Sequence, residues 1–268
     1  MPRAAASANL DKRTSAPRIS FVVPAYNEER LLGACLESVI AELERTPCAA
    51  EIVVVDNAST DATSRVARSY PGVRIVTEPN KGLVRARRTG FEATSAPVVA
   101  NIDADTRLPR GWLATVLREF SQDPRLVALS GPYLYDGFSP LARAAVKVFY
   151  SFGYIGYLLN HFVLRGGAML QGGNFVLRRD AWERAGGFDT RISFYGEDTD
   201  VARRISRFGR VKWTWRLPMH TSGRRLLHEG IVRTGTVYAI NFVWVTLFGR
   251  PYTKRYTDVR PKDPRAAS

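Results

Sequence analysis

Four runs of mainly apolar, mostly β-branched residues, at 19–23, 52–55, 73–76 and 98–102 and broken only by Ser20, Arg74 and Asn101, alternate with segments of helical period. That alternation restricts the first half of the chain to a parallel sheet with helices on both faces. Each run lacks the polar alternation of a half-exposed strand, so each needs cover above and below. Leu32, Leu36, Val39, Ile40 and Leu43 mark one face of a helix over 28–45. Ser59 or Thr60 is placed to cap a helix over 61–69. A basic helix is expected over roughly 81–94. The length of 268 residues suits one large α/β domain, and 45% apolar residues can fill its core.

Three of the four runs end in polar groups. Tyr26-Asn27-Glu28 follows the first, Asp56-Asn57 the second and Asp103-Ala104-Asp105 the fourth. Open α/β sheets bind ligands at the carboxyl ends of their strands, so these groups converge on one rim.

The second half is less regular. It holds an apolar stretch at 141–164, a glycine-rich turn (Gly166, Gly167, Gly172, Gly173) and a strand over 174–178. A helix starts near Asp180, an acidic cluster occupies 197–200, and a strand is expected over 211–217. A second apolar stretch runs over 231–248. No Asp, Glu, Lys or Arg lies between Lys147 and Arg165, or between Arg233 and Arg250. Each stretch nears the ~20 residues of a spanning helix. Asn160, His161 and Asn241 interrupt them, and arginines flank them. Packing on the sheet, lying in a membrane interface and spanning a bilayer all remain open, the span least favoured by these interruptions.

The net charge of +14 suits an anionic partner: nucleic acid, an anionic membrane face or a phosphorylated small molecule. No helix-turn-helix, zinc or RNP pattern is present, so nucleic acid is not an expected partner. Cys35 and Cys48 form no CxxC pair or Cys/His cluster, which argues against structural zinc or a disulfide framework and for a reduced, cytoplasmic setting. Residues 1–17 read as a disordered basic tail without the apolar stretch of a signal peptide, and 261–268 read alike.

Five groups carry candidate chemistry. Asp103 and Asp105, two apart in an extended segment, point the same way and offer hard oxygen donors to Mg²⁺ or Mn²⁺. Glu197-Asp198 opens a helical pattern, where it either caps the helix or supplies a general base. Lys81, Arg85, Arg87 and Arg88 follow Asn80-Lys81-Gly82; they form a solvated face or neutralise a diphosphate. Gly172-Gly173-Asn174 is a tight turn or a place for an acceptor to approach the backbone. His220 is a lone histidine and a candidate metal ligand.

Taken in order, Val23-Pro24-Ala25-Tyr26-Asn27-Glu28-Glu29, Val55-Asp56-Asn57-Ala58-Ser59-Thr60-Asp61, Asn80-Lys81-Gly82, Ala86-Arg87, Asp103-Ala104-Asp105, Gly172-Gly173-Asn174 and Glu197-Asp198 resemble glycosyltransferase family 2 over roughly residues 18–210. These are inverting enzymes with the GT-A fold, a Rossmann-like, mostly parallel α/β sheet flanked by helices. The resemblance implies a GT-A domain over 18–220, followed by a C-terminal helical segment over 221–260 whose apolar, arginine-flanked stretch leaves contact with a membrane interface open. It implies a nucleotide-diphospho-sugar donor, a UDP-sugar before a GDP-sugar, and a divalent cofactor, Mn²⁺ or Mg²⁺. Pro24, Ala25, Tyr26 and Glu28 would line the base and ribose pocket, and Asp56 would bond the nucleobase. Arg87 would sit near base or diphosphate. Asp103 would contact the ribose, Ala104 the nucleotide sugar, and Asp105 the metal, with His220 as a further ligand. Gly173 and Asn174 would border the acceptor, Glu197 would bind it, and Asp198 would be the catalytic base.

The match has departures. Arg88 follows Ala86-Arg87 where the family often has Asn. There is no QxxRW motif; Thr221-Ser222-Gly223-Arg224-Arg225 sits about where it would fall, its arginines expected to serve the diphosphate. The expected reaction is therefore non-processive transfer, of a hexosyl group, to an acceptor hydroxyl or lipid phosphate. A lipid-linked acceptor would place the protein peripherally at the inner face of the cell membrane. A nucleotidyltransferase would carry a glycine-rich loop with Arg and Lys after the first strand, where Pro24-Ala25-Tyr26-Asn27-Glu28 stands. An inactive sugar-nucleotide-binding homologue would lack the DxD or the Glu-Asp pair, and both are present.

Overall fold

β-Branched side chains pack well on a pleated surface, and the four runs become strands for that reason. In the computed structural model, which describes residues 16–159, 169–253, 256 and 258, they are β1 (Ile19–Ala25), β2 (Ala50–Asp56), β3 (Val73–Thr77) and β4 (Val98–Ile102). Three of the runs are covered on both faces, whereas the run at 73–76, on the sheet edge and carrying Arg74, is only partly buried. They pair in parallel in the order β3-β2-β1-β4. Helices α1 (Leu32–Arg45), α2 (Thr63–Arg68) and α3 (Leu83–Glu92) connect them. The two-residue period of β1 sends Phe21 and Val23 to the face covered by Leu32, Leu36 and Val39 of α1. Val22 goes to the other face, with Val55 of β2 and Val84 and Phe91 of α3. Helix α3 lies so close to the sheet that any side chain at Gly90 would overlap Val22 and Val55.

Beyond β4 come β5 (Thr106–Arg107), α4 (Trp112–Gln122), β6 (Leu126–Ser130), β7 (Tyr133–Asp136) and α5 (Pro140–Leu159). Then follow β8 (Asn174–Arg178), α6 (Arg179–Arg184), α7 (Glu197–Ile205), β9 (Arg210–Trp213), β10 (Met219–Ser222), α8 (Arg224–Glu229) and α9 (Ile231–Phe248). The main sheet has the order β3-β2-β1-β4-β8-β6-β9, parallel except for β8, which runs antiparallel to both neighbours. This is the mostly parallel α/β sheet that the alternation predicts. A small sheet, β5-β10-β7, brings the C-terminal part of the chain onto the loop after β4. The Ser222 N–H donates to the Asp105 carbonyl at 3.2 Å.

Several local expectations shift. The expected cap residues Ser59 and Thr60 reach across to the loop after β1 instead. The Asn27 N–H donates to Ser59 Oγ at 3.1 Å, and the Thr60 N–H donates to Asn27 Oδ1 at 2.8 Å. Helix α4 starts at a left-handed Gly111, and its open N–H groups are met by buried Glu42 of α1, which accepts from Gly111 at 3.1 Å and Leu113 at 3.0 Å. The strand expected to reach 217 ends at Trp213. The second apolar stretch is one helix, α9. Cys35 and Cys48 are both free thiols. Residues 1–15, 160–168 and 261–268 lie outside the described residues, and with them most of the expected tails and the end of the first apolar stretch.

Candidate active site

Two adjoining clefts open at the carboxyl ends of the strands, with Pro24, Leu83 and Phe194 common to both. The smaller lies between Ala25, Tyr26, Asn57, Lys81 and Gly82 and is open to solvent, with about 380 Å³ of space in and above it. Asn57 shapes it. Its Nδ2 donates to the carbonyls of Glu78 (3.0 Å) and Asn80 (2.9 Å), and its Oδ1 accepts from the Gly82 N–H at 2.7 Å. Lys81 Nζ stands 3.8 Å over the Tyr26 ring and 3.0 Å from Asp258 Oδ2. Asp56 is among the lining residues of neither cleft. Its carboxylate accepts from the Ser59 N–H at 3.1 Å and from the Ser64 hydroxyl, which ties it to its own loop, and Asn57 lines the cleft in its stead.

The larger cleft, about 1080 Å³, is walled by Glu28, Arg87, Asp103, Ala104, Asp105, Gly172, Gly173, Glu197 and Asp198, together with residues from β7, β10, α8 and α9. Arg87 is the one basic residue of α3 that turns inward, because it shares the buried face of Val84 and Phe91. Only 1% exposed, it donates to Asp103 Oδ1 at 3.0 Å and to Glu197 Oε1. Burial works against its charge, but the two carboxylates outweigh burial and hold it protonated. Glu197 and Asp198 form the first turn of α7, after left-handed Gly196. Burial raises the pKa of both. Asp198 Oδ1 accepts from the Thr199 N–H at 2.7 Å, which opposes that rise.

The glycine turn presses on this wall. Gly172 lies against Glu197, Asp198 and Arg87, and a side chain at Gly173 would overlap the Asp103 carboxylate and the Tyr133 hydroxyl. Asn174 is not a lining residue. Fully buried, its amide accepts from Trp112 Nε1 at 3.1 Å and donates to the carbonyls of Gly131 (3.1 Å) and Leu217 (2.8 Å). It anchors β8 to its neighbours.

Asp105 faces the C-terminal elements. Its Oδ2 accepts from the Ser222 hydroxyl at 2.5 Å and from Arg224 Nη2 at 2.9 Å. The same Arg224 nitrogen is 2.7 Å from Glu28 Oε1. His220 is elsewhere. The pleat of β10 buries Met219 and Thr221 and turns His220 to the half-exposed side, where its Nδ1 is 2.9 Å from Asp136 Oδ1. The structure does not bring His220 to Asp105, and among the described residues no three His, Cys, Asp or Glu side chains form a metal cage.

The donor chemistry still fits a hard cation. Five carboxylates and three guanidiniums line the larger cleft, so acidic groups outnumber basic ones where an anionic diphosphate is expected. Mg²⁺-type ions are held by one or two protein carboxylates, with substrate phosphates and water completing the shell. Asp105 meets that description. Tyr133, Tyr135, Gln171, Phe194 and Tyr238 also line the cleft; no motif marks them, because they sit in the irregular second half of the chain.

Residues 20–186 match the family described as Glycosyl transferase family 2. LpsC of Rhizobium meliloti, a lipopolysaccharide core biosynthesis glycosyltransferase, is 39% identical over 118 residues, which is 42% of this chain and 38% of LpsC. The mannosyltransferase PcManGT from Pyrobaculum calidifontis, solved in complex with GDP-Man and Mn²⁺, superposes with a TM-score of 0.57 at 25% identity, over 80% of this chain and 61% of its own. S. aureus TarS 1–349 gives a TM-score of 0.57 at 15% identity, over 84% and 66% of the two chains, a likeness of fold. The chain spans less than half the length of the curated relatives it matches. With the family match covering more than half of the sequence and the sheet arranged as in these GT-A structures, the chain belongs to glycosyl transferase family 2.

Proposed function

We propose that this chain is an inverting, non-processive glycosyltransferase that moves a hexosyl group from a nucleotide-diphospho-sugar to an acceptor hydroxyl or lipid phosphate. One observation carries the reading: Asp198, at the first turn of α7, lines the same cleft as the Asp103-Ala104-Asp105 loop, with Gly172-Gly173 beside it. In a single in-line displacement Asp198 takes the acceptor proton. The acceptor oxygen bonds to the anomeric carbon as the bond to the diphosphate breaks. Tyr26, Asn57 and Lys81 would hold the base in the smaller cleft, and Asp103, fixed by Arg87, would meet the ribose. Arg224, which lines the larger cleft, would serve the diphosphate. Asp105 would hold a divalent ion, Mn²⁺ or Mg²⁺, which when bound neutralises charge on the leaving diphosphate. GDP-Man with Mn²⁺ on PcManGT, and UDP and UDP-GlcNAc on TarS, support donors of this class without choosing between them. A lipid-linked acceptor at the inner membrane face is the acceptor class proposed.

A thermal-shift panel with UDP, GDP, dTDP and CDP, each with and without Mn²⁺, tests the donor site. A nucleotide at 100 times its Kd stabilises the folded state by about 2.7 kcal/mol. A metal-dependent rise with one nucleotide names the donor class; no rise with any of them counts against the transferase reading.

Two further outcomes follow from the geometry. Gly173→Ala pushes a methyl group into Asp103 and Tyr133. Because the methyl displaces the Asp103 carboxylate, nucleotide affinity should fall about tenfold (~1.4 kcal/mol) in titration calorimetry. Unchanged affinity would remove Asp103 from the donor site. The second concerns pH. Burial raises Asp198 above its ordinary value of 3.8. The base must be ionised, so kcat/KM should fall with decreasing pH along an acid limb centred above that value. A limb at or below pH 3.8 would exclude Asp198 as the base.

A further inference from the structure

Helix α9 is assembled inside out. Its buried positions are Thr234, Asn241 and Val245, two of them polar. Asn241 Nδ2 donates to the Val237 carbonyl and to Thr253 Oγ1, both at 2.8 Å, and Asn241 Oδ1 accepts from the Thr253 N–H at 2.9 Å. The outward positions 232, 236, 240, 243 and 247 recur at helical spacing and include Val232 (83% exposed), Ile240, Val243 (51%) and Leu247 (64%). Phe248 at the end of the helix, Tyr252 beyond it, Leu227 of α8, and Leu141 and Val148 of α5 are exposed as well. Helix α9 packs on both of those helices and on α7. A soluble helix normally does the reverse, and contiguous apolar surface of this kind marks a binding face.

We propose that this stripe docks the protein on an anionic lipid bilayer, with α9 lying in the plane of the interface. The charges fit that occupant. Exposed Arg233 and Arg250 bracket the stripe, exposed Arg143 and Lys147 lie on α5, and the chain carries a net charge of +14. The packing fits lying flat: Val245, near one end, sits against Gly196 of the catalytic wall, while Thr234 and Tyr238, near the other, line the larger cleft. A helix held to the domain along its length cannot also cross a bilayer. The inner face of α9 thus borders the cleft that contains Asp198, and its outer face meets lipid. An acceptor anchored in the bilayer would reach Asp198 past this helix, a consequence that rests on the transferase reading.

The test is co-sedimentation of the full chain with vesicles of phosphatidylcholine alone and of phosphatidylcholine with 30% phosphatidylglycerol. Binding is expected to the anionic vesicles and to weaken in 0.5 M salt. Val243→Glu with Leu247→Glu should reduce it at least tenfold, and Arg233→Glu or Arg250→Glu about fivefold or more each. Neither pair touches the cleft, so a nucleotide-induced melting shift that persists in the variants shows the domain intact. If wild type gives no nucleotide shift, the transferase reading fails while the vesicle result stands. Wild type left in the supernatant, or equal binding by the double glutamate variant, overturns the docking face. So does a self-association lost in that variant, which makes a second copy the occupant. Resistance to alkaline carbonate extraction also overturns it, because the helix would then span.

Discussion

Asp198→Asn is expected to leave nucleotide affinity unchanged and to slow sugar transfer by at least ~10²-fold. The amide has the shape of the carboxylate, and its oxygen can still accept from the Thr199 N–H that holds Asp198 Oδ1 at 2.7 Å. What it loses is the capacity to take a proton. Stability should not suffer. A carboxylate whose folded pKa is raised binds its proton more tightly in the folded state, so above that pKa its ionisation subtracts from stability. Replacing it by a neutral amide removes that penalty, and the melting temperature should hold or rise slightly. Single-turnover transfer assays with calorimetric nucleotide titration separate the two effects. Transfer within a few-fold of wild type, with donor binding intact, would assign the base to another group. Neighbouring Glu197, whose pKa burial also raises, would be the next to test, although Arg87 already engages its Oε1.

Arg87→Met is expected to be the most destabilising single change at the site. Arg87 is 1% exposed and is shared by Asp103 and Glu197. Removing it leaves Glu197 buried at 5% exposure with no cation beside it. Breaking a buried pair in this way typically costs about 3–5 kcal/mol. For a chain of this size that is a fall in Tm on the order of 10 °C. Arg87→Lys should recover little, since one ammonium cannot match two carboxylates as a planar fork does. Adding Glu197→Gln to Arg87→Met should recover part of the loss by removing the orphaned charge. A Tm change below 2 °C for Arg87→Met, or no recovery in the double variant, would show that the triad contributes little to folding. The same triad explains why Arg87, alone among the α3 arginines Arg85, Arg87 and Arg88, lines the larger cleft: α3 has one inward face, and 87 falls on it with Val84 and Phe91.

What was legible in the sequence was local. Strands β1 to β4 announce themselves because mainly apolar, β-branched runs fit a sheet covered by helices, and their terminal polar residues lie within a few positions of the strands that aim them. The Asp103-Ala104-Asp105 loop could be placed at a rim for that reason; Glu197-Asp198, at a helix start, is brought to the site only by the family resemblance. What only the tertiary structure decided is direction. Asp56 and Asn57 are adjacent in the chain, yet Asp56 turns to Ser59 and Ser64 and Asn57 lines the cleft. Asn174 anchors the sheet interior, and His220 faces Asp136, because the pleat of β8 and β10 and the partners across it set where a side chain points. Arg224 meets Glu28 across 196 residues and Asp105 across 119, distances over which periodicity carries no information. Helix α9 is apolar on nearly every side, so its composition could not say which face turns inward; the hydrogen-bonding partners of Asn241 and the packing on α7 select Thr234, Asn241 and Val245 for the interior, and leave the aliphatic stripe outside.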